Sequence, residues 1–154
     1  MAKILPILKE PNEVLRARAA EVNLTEWKRE DLEALAADMI LTMQKAPGVG
    51  LAAPQIGQSI RLIIIEREGE PLALMNPVII KRPWRKASMD EGCLSVPGKF
   101  GIIKRSPWVV VRAQHLDGSP FEIKAEGMLA EIFQHEIDHL DGILYIDKAE
   151  KFLN

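Results

Sequence analysis

The segment HEIDHLDG, residues 135–142, constrains the fold of this chain more than any other part of the sequence. His135 and His139 are four residues apart, so on a helix they share one face, with Glu136 beside the first of them. This arrangement can hold a divalent metal ion and a reactive water, but a catalytic site of this kind uses three protein ligands. The fold must therefore bring a third ligand to this helix from elsewhere in the chain.

The helix that carries this segment, at about 126–140, is predicted to bury the motif. At about 100° per residue its apolar side chains form a continuous arc, and His135, Glu136 and His139 lie within that arc or at its edge. The arc comprises Met128, Leu129, Ile132, Phe133 and Leu140, whereas Gln134, Asp138 and Asp141 lie opposite. Buried imidazoles need polar partners, which could be one shared metal ion or, alternatively, backbone carbonyls.

Several residues are candidates for the third ligand. The extended pattern HExxHxxGxxH fails because Tyr145 stands where its last histidine would be. His115 lies in a predicted turn, where an exposed histidine is expected, and Glu150 lies among the last residues of the chain. Cys93 is the only cysteine and lies in DEGCLSVPG (90–98), whose glycines and proline allow tight folding against another element. A lone cysteine is usually a small buried hydrophobe, but a thiolate with two imidazoles suits tetrahedral Zn(II) or Fe(II) and leaves one position open.

The rest of the pattern predicts a single α+β domain over residues 1–154. Residues 12–22 have helical composition, and an amphipathic helix is predicted from Leu32 to Met43, ended by the Ala-Pro-Gly at 46–48. Strands are predicted at 60–65, 72–80, 108–114 and 121–125, and Pro77 suggests a sheet edge or a strand start. The order indicates N-terminal helices, mostly antiparallel strands, and a final helix that carries the histidines.

The composition of the chain restricts which binding partners and which cellular compartment are expected. The net charge of −2 provides no long-range positive field, so we expect no direct nucleic-acid binding and no membrane binding. A single cysteine excludes an intramolecular disulfide. The apolar stretch in the opening MAKILPILKEP is too short for a secretory signal. No apolar run elsewhere reaches membrane-spanning length. We therefore expect a soluble cytoplasmic protein.

The segment GVGLAAPQIG (48–57) matches a dinucleotide-binding fingerprint through Gly48, Gly50 and Ala53. That fingerprint needs a strand before it and a helix after it, whereas here a helix precedes and Pro54 and a strand-like run follow. The nucleotide interpretation is therefore rejected. The glycines instead let the backbone approach a ligand closely, and Gln55 offers an amide donor.

Taken together, GVGLAAPQIG, EGCLS and QHEIDHLDG closely resemble the three motifs of the peptide deformylase family. The resemblance covers nearly the whole chain, because EVLRARAAEV, DMILTM (38–43) and MNPVI (75–79) fit the same pattern in the same order. It implies a compact α+β fold in which strands surround the HExxH helix. It also implies removal of the formyl group from the N-formylmethionine of newly made polypeptides.

Residue by residue, the resemblance implies that Cys93, His135 and His139 bind the metal, commonly Fe(II), with Zn(II), Ni(II) or Co(II) able to replace it. Glu136 would be the general base, and the Gln55 amide and the Leu94 backbone N–H would bind the oxyanion. Positions near the peptide and its methionine pocket would be Val49, Gly50, Glu91, Gly92, Met128 and Ile132. Ile132 stands where many relatives have a smaller residue, which implies a narrower methionine pocket, and Glu131 places a charge near the rim of that pocket.

The partners expected on this basis are N-formylmethionyl nascent peptides, which a monomer would process. The chain ends at Asn154, soon after the histidine-bearing helix, so transient ribosome contact would use a surface other than a long C-terminal tail. Two alternatives remain. A zinc endopeptidase fits the HExxH helix but lacks the downstream ligand, and a binding protein in which the metal only stabilises the fold would need four protein ligands instead of three.

Overall fold

A computed structural model describes residues 1–153 of the chain. The helices of this region are α1 (Glu13–Arg16), α2 (Arg29–Lys45) and α3 (Gly127–Leu140), with 3₁₀ helices at Ala53–Ile56 and Tyr145–Asp147. The strands are β1 (Gly50–Ala52), β2 (Leu62–Arg67), β3 (Glu70–Lys81), β4 (Ala87–Cys93), β5 (Val96–Arg105), β6 (Trp108–Gln114), β7 (Pro120–Glu126) and β8 (Lys151–Phe152). The predicted α+β class is confirmed. None of the described helices combines the length and the apolar character that crossing a bilayer requires.

The strands form two antiparallel sheets. One has the order β1-β2-β3-β6-β7, and the smaller one has the order β4-β5-β8. Strand β2 is apolar on both faces because helices cover both: Ile63 and Ile65 pack on the α3 side, whereas Leu62 and Ile64 pack on the α2 side. The larger sheet is therefore a rigid platform on which α3 is fixed.

Helix α3 is enclosed on nearly every side. Four members of its apolar arc pack against the larger sheet, as the periodicity predicts: Leu129, Ile132, Phe133 and Leu140. Met128, in the first turn of the helix, was wrongly placed in this arc, because its side chain is exposed. The residues opposite the arc also meet protein: the Gln134 side chain exchanges two hydrogen bonds with the Ser106 backbone, each 2.9 Å long, and Asp138 accepts a hydrogen bond from Arg105. Because α3 packs against protein on both of these faces, its histidines are held in one orientation.

All four predicted strands are present, but two local predictions were wrong. The helix predicted at 12–22 is only α1, because the next residues bond to other elements: the Ala19 N–H donates to Leu140 O and the Ala20 N–H to Ser59 O. Pro77 lies within the central strand β3, at a register shift between Met75 and Val78. A bulge tolerates proline because the missing N–H leaves no ladder hydrogen bond broken.

Strands β4 and β5 were not predicted from the sequence. They form a long hairpin from Ala87 to Arg105, and Cys93 closes its β4 arm opposite Val96. The segment 48–57 has α2 before it and β2 after it, as expected, with β1 and a short 3₁₀ helix between. Three parts of the fold thus meet at one place: the hairpin, helix α3 and the segment around β1.

Candidate metal centre

The thiol and the two imidazoles converge in the structure. Cys93 Sγ lies 3.3 Å from His139 Nε2, and the Nε2 atoms of His135 and His139 are 3.2 Å apart. All three ligand atoms lie within 4.8 Å of one another. With bonds of about 2.0–2.3 Å, the ligands of one tetrahedral zinc-like ion lie roughly 3.3–3.7 Å from each other. The three atoms therefore fit a single divalent metal ion.

The other candidate ligands lie elsewhere. The His115 ring packs edge-on against Phe121, with ring centroids 5.4 Å apart, in the turn between β6 and β7. Glu150 is exposed and pairs with Lys104. The His, Cys, Asp and Glu cluster with metal-ligand geometry found within residues 1–153 contains only Cys93, His135 and His139. Three protein ligands leave a coordination position for water or substrate, which a purely structural site does not.

The hairpin holds Cys93 against α3 through several contacts at its tight end. Ser95 is fully buried, its carbonyl accepts from the Glu10 N–H, and its Oγ accepts from Gln55 Nε2 at 3.1 Å. Position 92 accommodates glycine best, because the Cβ of any other residue there would lie 2.8 Å from the Phe100 ring. The thiol is thus placed by the close packing of the β4–β5 turn.

A buried carboxylate orients His135. Glu91 Oε1 lies 2.7 Å from His135 Nδ1, which turns the other ring nitrogen toward the metal ligands. Arg105 binds both oxygens of Glu91, at 2.7 and 2.9 Å, and also donates to Asp138 on α3. Burial opposes ionisation of Glu91, but hydrogen bonds from Arg105 and His135 lower the pKa of its carboxyl to about 2. The carboxylate is therefore a permanent anion behind the ring.

Replacing Glu91 by glutamine should weaken metal binding by roughly 10–100-fold, because a neutral amide orients the imidazole less well and leaves Arg105 without its counter-charge. Competition with a chelator measures this affinity. Glu122→Gln is the matched control, because Glu122 also pairs with an arginine, Arg112, but both side chains are exposed. Equal metal affinity of the Glu91→Gln variant and the wild type would contradict the orienting role.

Glu136 places an unpaired carboxylate oxygen beside the ligands. Its side chain is buried, at 4% exposure, and its Oε1 atom has no hydrogen-bond partner among residues 1–153. Burial raises the pKa of Glu136 to about 7. A Cβ at position 50 would lie 2.5 Å from Glu136 Oε2, so Gly50 is required for the carboxylate to stand where it does. One carboxylate oxygen thus packs in the space left by Gly50, and the other is a buried acceptor whose hydrogen-bonding capacity is not used within residues 1–153.

Gln55 and Leu94 supply donors near the thiol. Gln55 Oε1 accepts from the Ala52 N–H at 2.9 Å, which fixes the amide so that its Nε2 group lies 3.1 Å from Ser95 Oγ and 3.8 Å from Cys93 Sγ. Leu94 directly follows the thiol, and none of the turn and loop hydrogen bonds within residues 1–153 uses its N–H. Both donors therefore lie where they could stabilise negative charge that develops next to the metal.

A cavity of about 660 Å³ opens beside the ligands. Every site residue proposed from the sequence lines it except His139, which lies buried beneath it. Val49 and Met128 are exposed at its rim, whereas Ile132 is buried in its wall. Glu91 faces the cavity but uses its oxygens on Arg105 and His135, so it supports the metal site more directly than it could bind a peptide.

Sequence reasoning did not identify Arg105, Asp138 or Ser95 as part of the site. Arg105 could have been found, because it follows Ile103 at the two-residue period of a strand and both side chains point inward. That inference required recognition of β5, whose glycines and lysines do not form an apolar run. The N-terminal segment was also missed: Ile7 and Lys9 line the cavity.

Comparisons with known proteins agree with this geometry. The family model described as polypeptide deformylase matches residues 4–153. A peptide deformylase of Desulforudis audaxviator is 43% identical over 147 residues, which cover 95% of this chain and 94% of the relative. One of Symbiobacterium thermophilum is 50% identical over 150 residues, which cover 95% of this chain and 67% of that protein.

Solved structures agree as well. The crystal structure of peptide deformylase from Thermotoga maritima has a TM-score of 0.90 at 39% identity, covering 96% of this chain and 98% of that one. A class I type b peptide deformylase from Acinetobacter baumannii, solved with Met-Ala-Ser bound, has a TM-score of 0.92 at 35% identity and covers 96% and 99% of the two chains. The fold described above is therefore shared over almost the full length of these proteins.

Proposed function

Because this chain belongs to the polypeptide deformylase family, we propose that it removes the N-formyl group from the initiator methionine of newly made polypeptides and releases formate. One observation carries the proposal: a thiol and two imidazoles converge beside a cavity that the carboxylate-bearing Glu136 also lines. A zinc endopeptidase is disfavoured because its third ligand would follow on the chain, whereas here Cys93 comes from the preceding hairpin.

Cys93, His135 and His139 would hold one divalent ion, for which we propose Fe(II), with Zn(II), Ni(II) or Co(II) able to replace it. One thiolate and two imidazoles are a donor set that these metals accept. When bound, such an ion supplies Lewis acidity that makes water more acidic and polarises the formyl carbonyl. Glu91 keeps the His135 ring in the orientation that this binding requires.

Glu136 would move the proton. Its carboxylate, which lines the cavity, accepts a proton from the attacking water, whose oxygen bonds to the formyl carbon. When the bond from carbon to nitrogen breaks, Glu136 passes that proton to the departing nitrogen. The second water proton stays on the acid product, which ionises to formate at neutral pH; the methionine is left with a free amine, and the Glu136 carboxylate returns to its starting state. The absence of a side chain at Gly50 leaves the space that this carboxylate occupies.

Gln55 and Leu94 would share the negative charge that builds on the former carbonyl oxygen. The Gln55 amide is oriented before substrate arrives, by its hydrogen bonds to Ala52 and Ser95. Such preorganised donors lower the barrier because they need no rearrangement during the reaction, and the loss of one typically costs about 10²–10³-fold in rate.

The cavity would receive the methionine and the first residues of the peptide. A volume of about 660 Å³ lies within the range of small-ligand sites. We propose that Ile132 forms the wall of a narrow methionine pocket and that Val49, Gly50, Gly92 and Met128 flank the peptide. The Acinetobacter baumannii relative was solved with a peptide that begins with methionine, which supports this assignment.

The function is tested by measuring formate release from an N-formylmethionyl tripeptide beside cleavage of casein. We expect formate release that depends on the metal, and no internal cleavage of casein. Casein cleavage without formate release would instead identify an endopeptidase. A metal-replete protein inactive in both assays would show that the ion only stabilises the fold.

The choice of Fe(II) predicts sensitivity to air. An Fe(II) ion with a thiolate ligand is open to oxidation at either partner, so deformylase activity should fall on exposure to oxygen. Protein reconstituted with Ni(II) or Co(II) should keep its activity under the same exposure. Parallel time courses of formate release measure both, and equal loss of activity with every metal would contradict the iron assignment.

We also propose that residues 1–154 act as one catalytic domain, as a monomer in the cytoplasm. The support is local: α3, which carries the two histidines, packs on the larger sheet, and Cys93 reaches it from the smaller one. No residue from a second copy is needed to complete the ligand set. Sedimentation velocity of the metal-loaded protein at micromolar concentration tests the monomeric state.

A further inference from the structure

The proposed deformylase site makes no use of the segment KRPWRK, residues 81–86, which we term the basic loop. It contains four of the 20 lysines and arginines of the chain, so the other 16 stand against 22 aspartates and glutamates. The molecule outside this loop is therefore clearly acidic, while the loop is locally strongly positive. A net charge of −2 conceals this contrast because it averages over the whole chain.

The charge of the basic loop is not neutralised by the protein. The loop joins β3 to β4, and Lys81, Arg82 and Arg85 form no ion pair with a carboxylate of residues 1–153. Lys86 donates to Ser106 Oγ at 3.3 Å, which ties the loop to the fold. Burial lowers the pKa of Lys86, and the nearby cations Arg82 and Lys148 lower it further, which reflects the crowding of positive charge.

Trp84 lies in the middle of these cations with 94% of its surface exposed. Tryptophan carries a large apolar ring that folding normally buries, and here the ring makes no aromatic or cation-π contact within residues 1–153. An indole held in water between cations contributes little to the stability of the fold. It offers a flat surface on which another planar group can stack.

The outer face of the larger sheet, next to the loop, carries a mixture of cations, carboxylates and a second aromatic side chain. Lys81 lies opposite Val110 on β6, and Val110 lies opposite Lys124 on β7, so the three side chains share one face. That face points away from the core, because the neighbouring Val109 and Val111 are the ones packed inside. Lys124 Nζ stands 4.8 Å from the centre of the Trp108 ring and 3.6 Å from Glu126 Oε1, so this lysine already has protein partners and the unpaired cations are those of the basic loop.

We propose that the basic loop binds single-stranded RNA. Lysines and arginines without protein partners match a chain of phosphates, and an exposed indole matches an unpaired base that can stack on it. An anionic membrane fits less well, because the loop has only one large exposed apolar side chain that could enter a bilayer. The choice of RNA over DNA rests on the proposed function, since newly made polypeptides arise beside RNA.

This proposal revises the expectation, drawn from net charge, that the chain binds no nucleic acid. It is tested by fluorescence anisotropy with a labelled oligouridine of about 12 nucleotides and the full metal-loaded chain. Titrations at about 50 and 200 mM KCl give the salt dependence of binding. The double variant Arg82→Gln/Arg85→Gln should bind roughly tenfold more weakly, and its salt slope should be shallower by about 1.4, or about 0.7 for each lost phosphate contact.

Trp84→Ala should also bind roughly tenfold more weakly, but with the salt slope of the wild type, because it removes stacking and no charge. The matched control is Lys28→Gln/Arg67→Gln, which removes two exposed cations outside the loop; Arg67 ends β2 and pairs in register with Glu70, at the end of β3 opposite to the loop. It should bind RNA as the wild type does.

Thermal melting and formate release from a short formylated peptide check that every variant is folded. Because the anisotropy assay needs no catalysis, a chain without deformylase activity would still report on RNA binding. The proposal would be overturned if the loop variants bound RNA as tightly as the wild type, or if the control pair lost as much affinity as they did. Preference for DNA of the same sequence, or for vesicles containing an anionic lipid, would also overturn it.

Discussion

Glu136→Gln is expected to keep its metal and to lose most deformylation, with kcat falling by about 10²–10⁴-fold. The amide has the shape of the carboxylate and can still fit against Gly50, but it takes no proton from water and returns none to the departing nitrogen. Because Glu136 is not one of the three convergent ligands, metal content should stay near one ion per chain. Steady-state formate release and elemental analysis of the same sample measure both quantities.

Glu131→Gln is the matched control for this variant. Glu131 lies on the same helix, faces the same cavity and has one buried carboxylate oxygen without a hydrogen-bond partner among residues 1–153. We assign it no proton transfer, so its replacement should change KM more than kcat. Turnover close to that of the wild type in a metal-replete Glu136→Gln variant would refute the role of Glu136 as the general base.

Cys93→Ala should remove the metal and the activity together. The loss of an outer partner of a metal ligand typically costs about 10–100-fold in affinity, so the loss of the ligand itself should cost more than about 100-fold. The two imidazoles that remain are 3.2 Å apart and form an incomplete set. After dialysis against a chelator-free buffer, metal content should fall far below one ion per chain, and formate release should fall to background.

Ser88→Ala is the control for Cys93→Ala, because Ser88 is exposed on the same strand, β4, and lies away from the cavity. It should keep the metal and the activity of the wild type. Thermal melting of metal-free samples separates a loss of metal from a loss of fold. If Cys93→Ala retained one ion per chain and released formate, the thiol would not be a ligand.

The helix that carries the histidines could be predicted from the sequence, because the spacing of apolar residues within the helix itself indicates both its type and its buried face. The period of Leu129, Ile132 and Phe133 fixes which face is buried, and the two histidines follow from that face. The strands β2, β3, β6 and β7 are rich in β-branched residues and were found for the same reason. The third ligand followed from the small number of candidates, since the chain has one cysteine and three histidines.

What could not be predicted depends on contacts between distant segments. The β4–β5 hairpin contains Gly92, Pro97 and Gly98, which locally favour turns, and it is a hairpin because its strands pair with each other and with β8. The Arg105–Glu91–His135 chain links both hairpin strands to α3, so no single segment indicates it. Helix α1 ends early for a similar reason, since Ala19 bonds to the end of α3.

The central claim is that Cys93, His135 and His139 together hold the catalytic ion. X-ray absorption at the metal edge of anaerobically purified protein tests it most directly. The spectrum should fit one sulfur at about 2.3 Å and two imidazole nitrogens at about 2.0–2.1 Å, with the sulfur absent in Cys93→Ala. A first coordination shell without sulfur in the wild type, in a sample with full metal and full formate release, would contradict the claim.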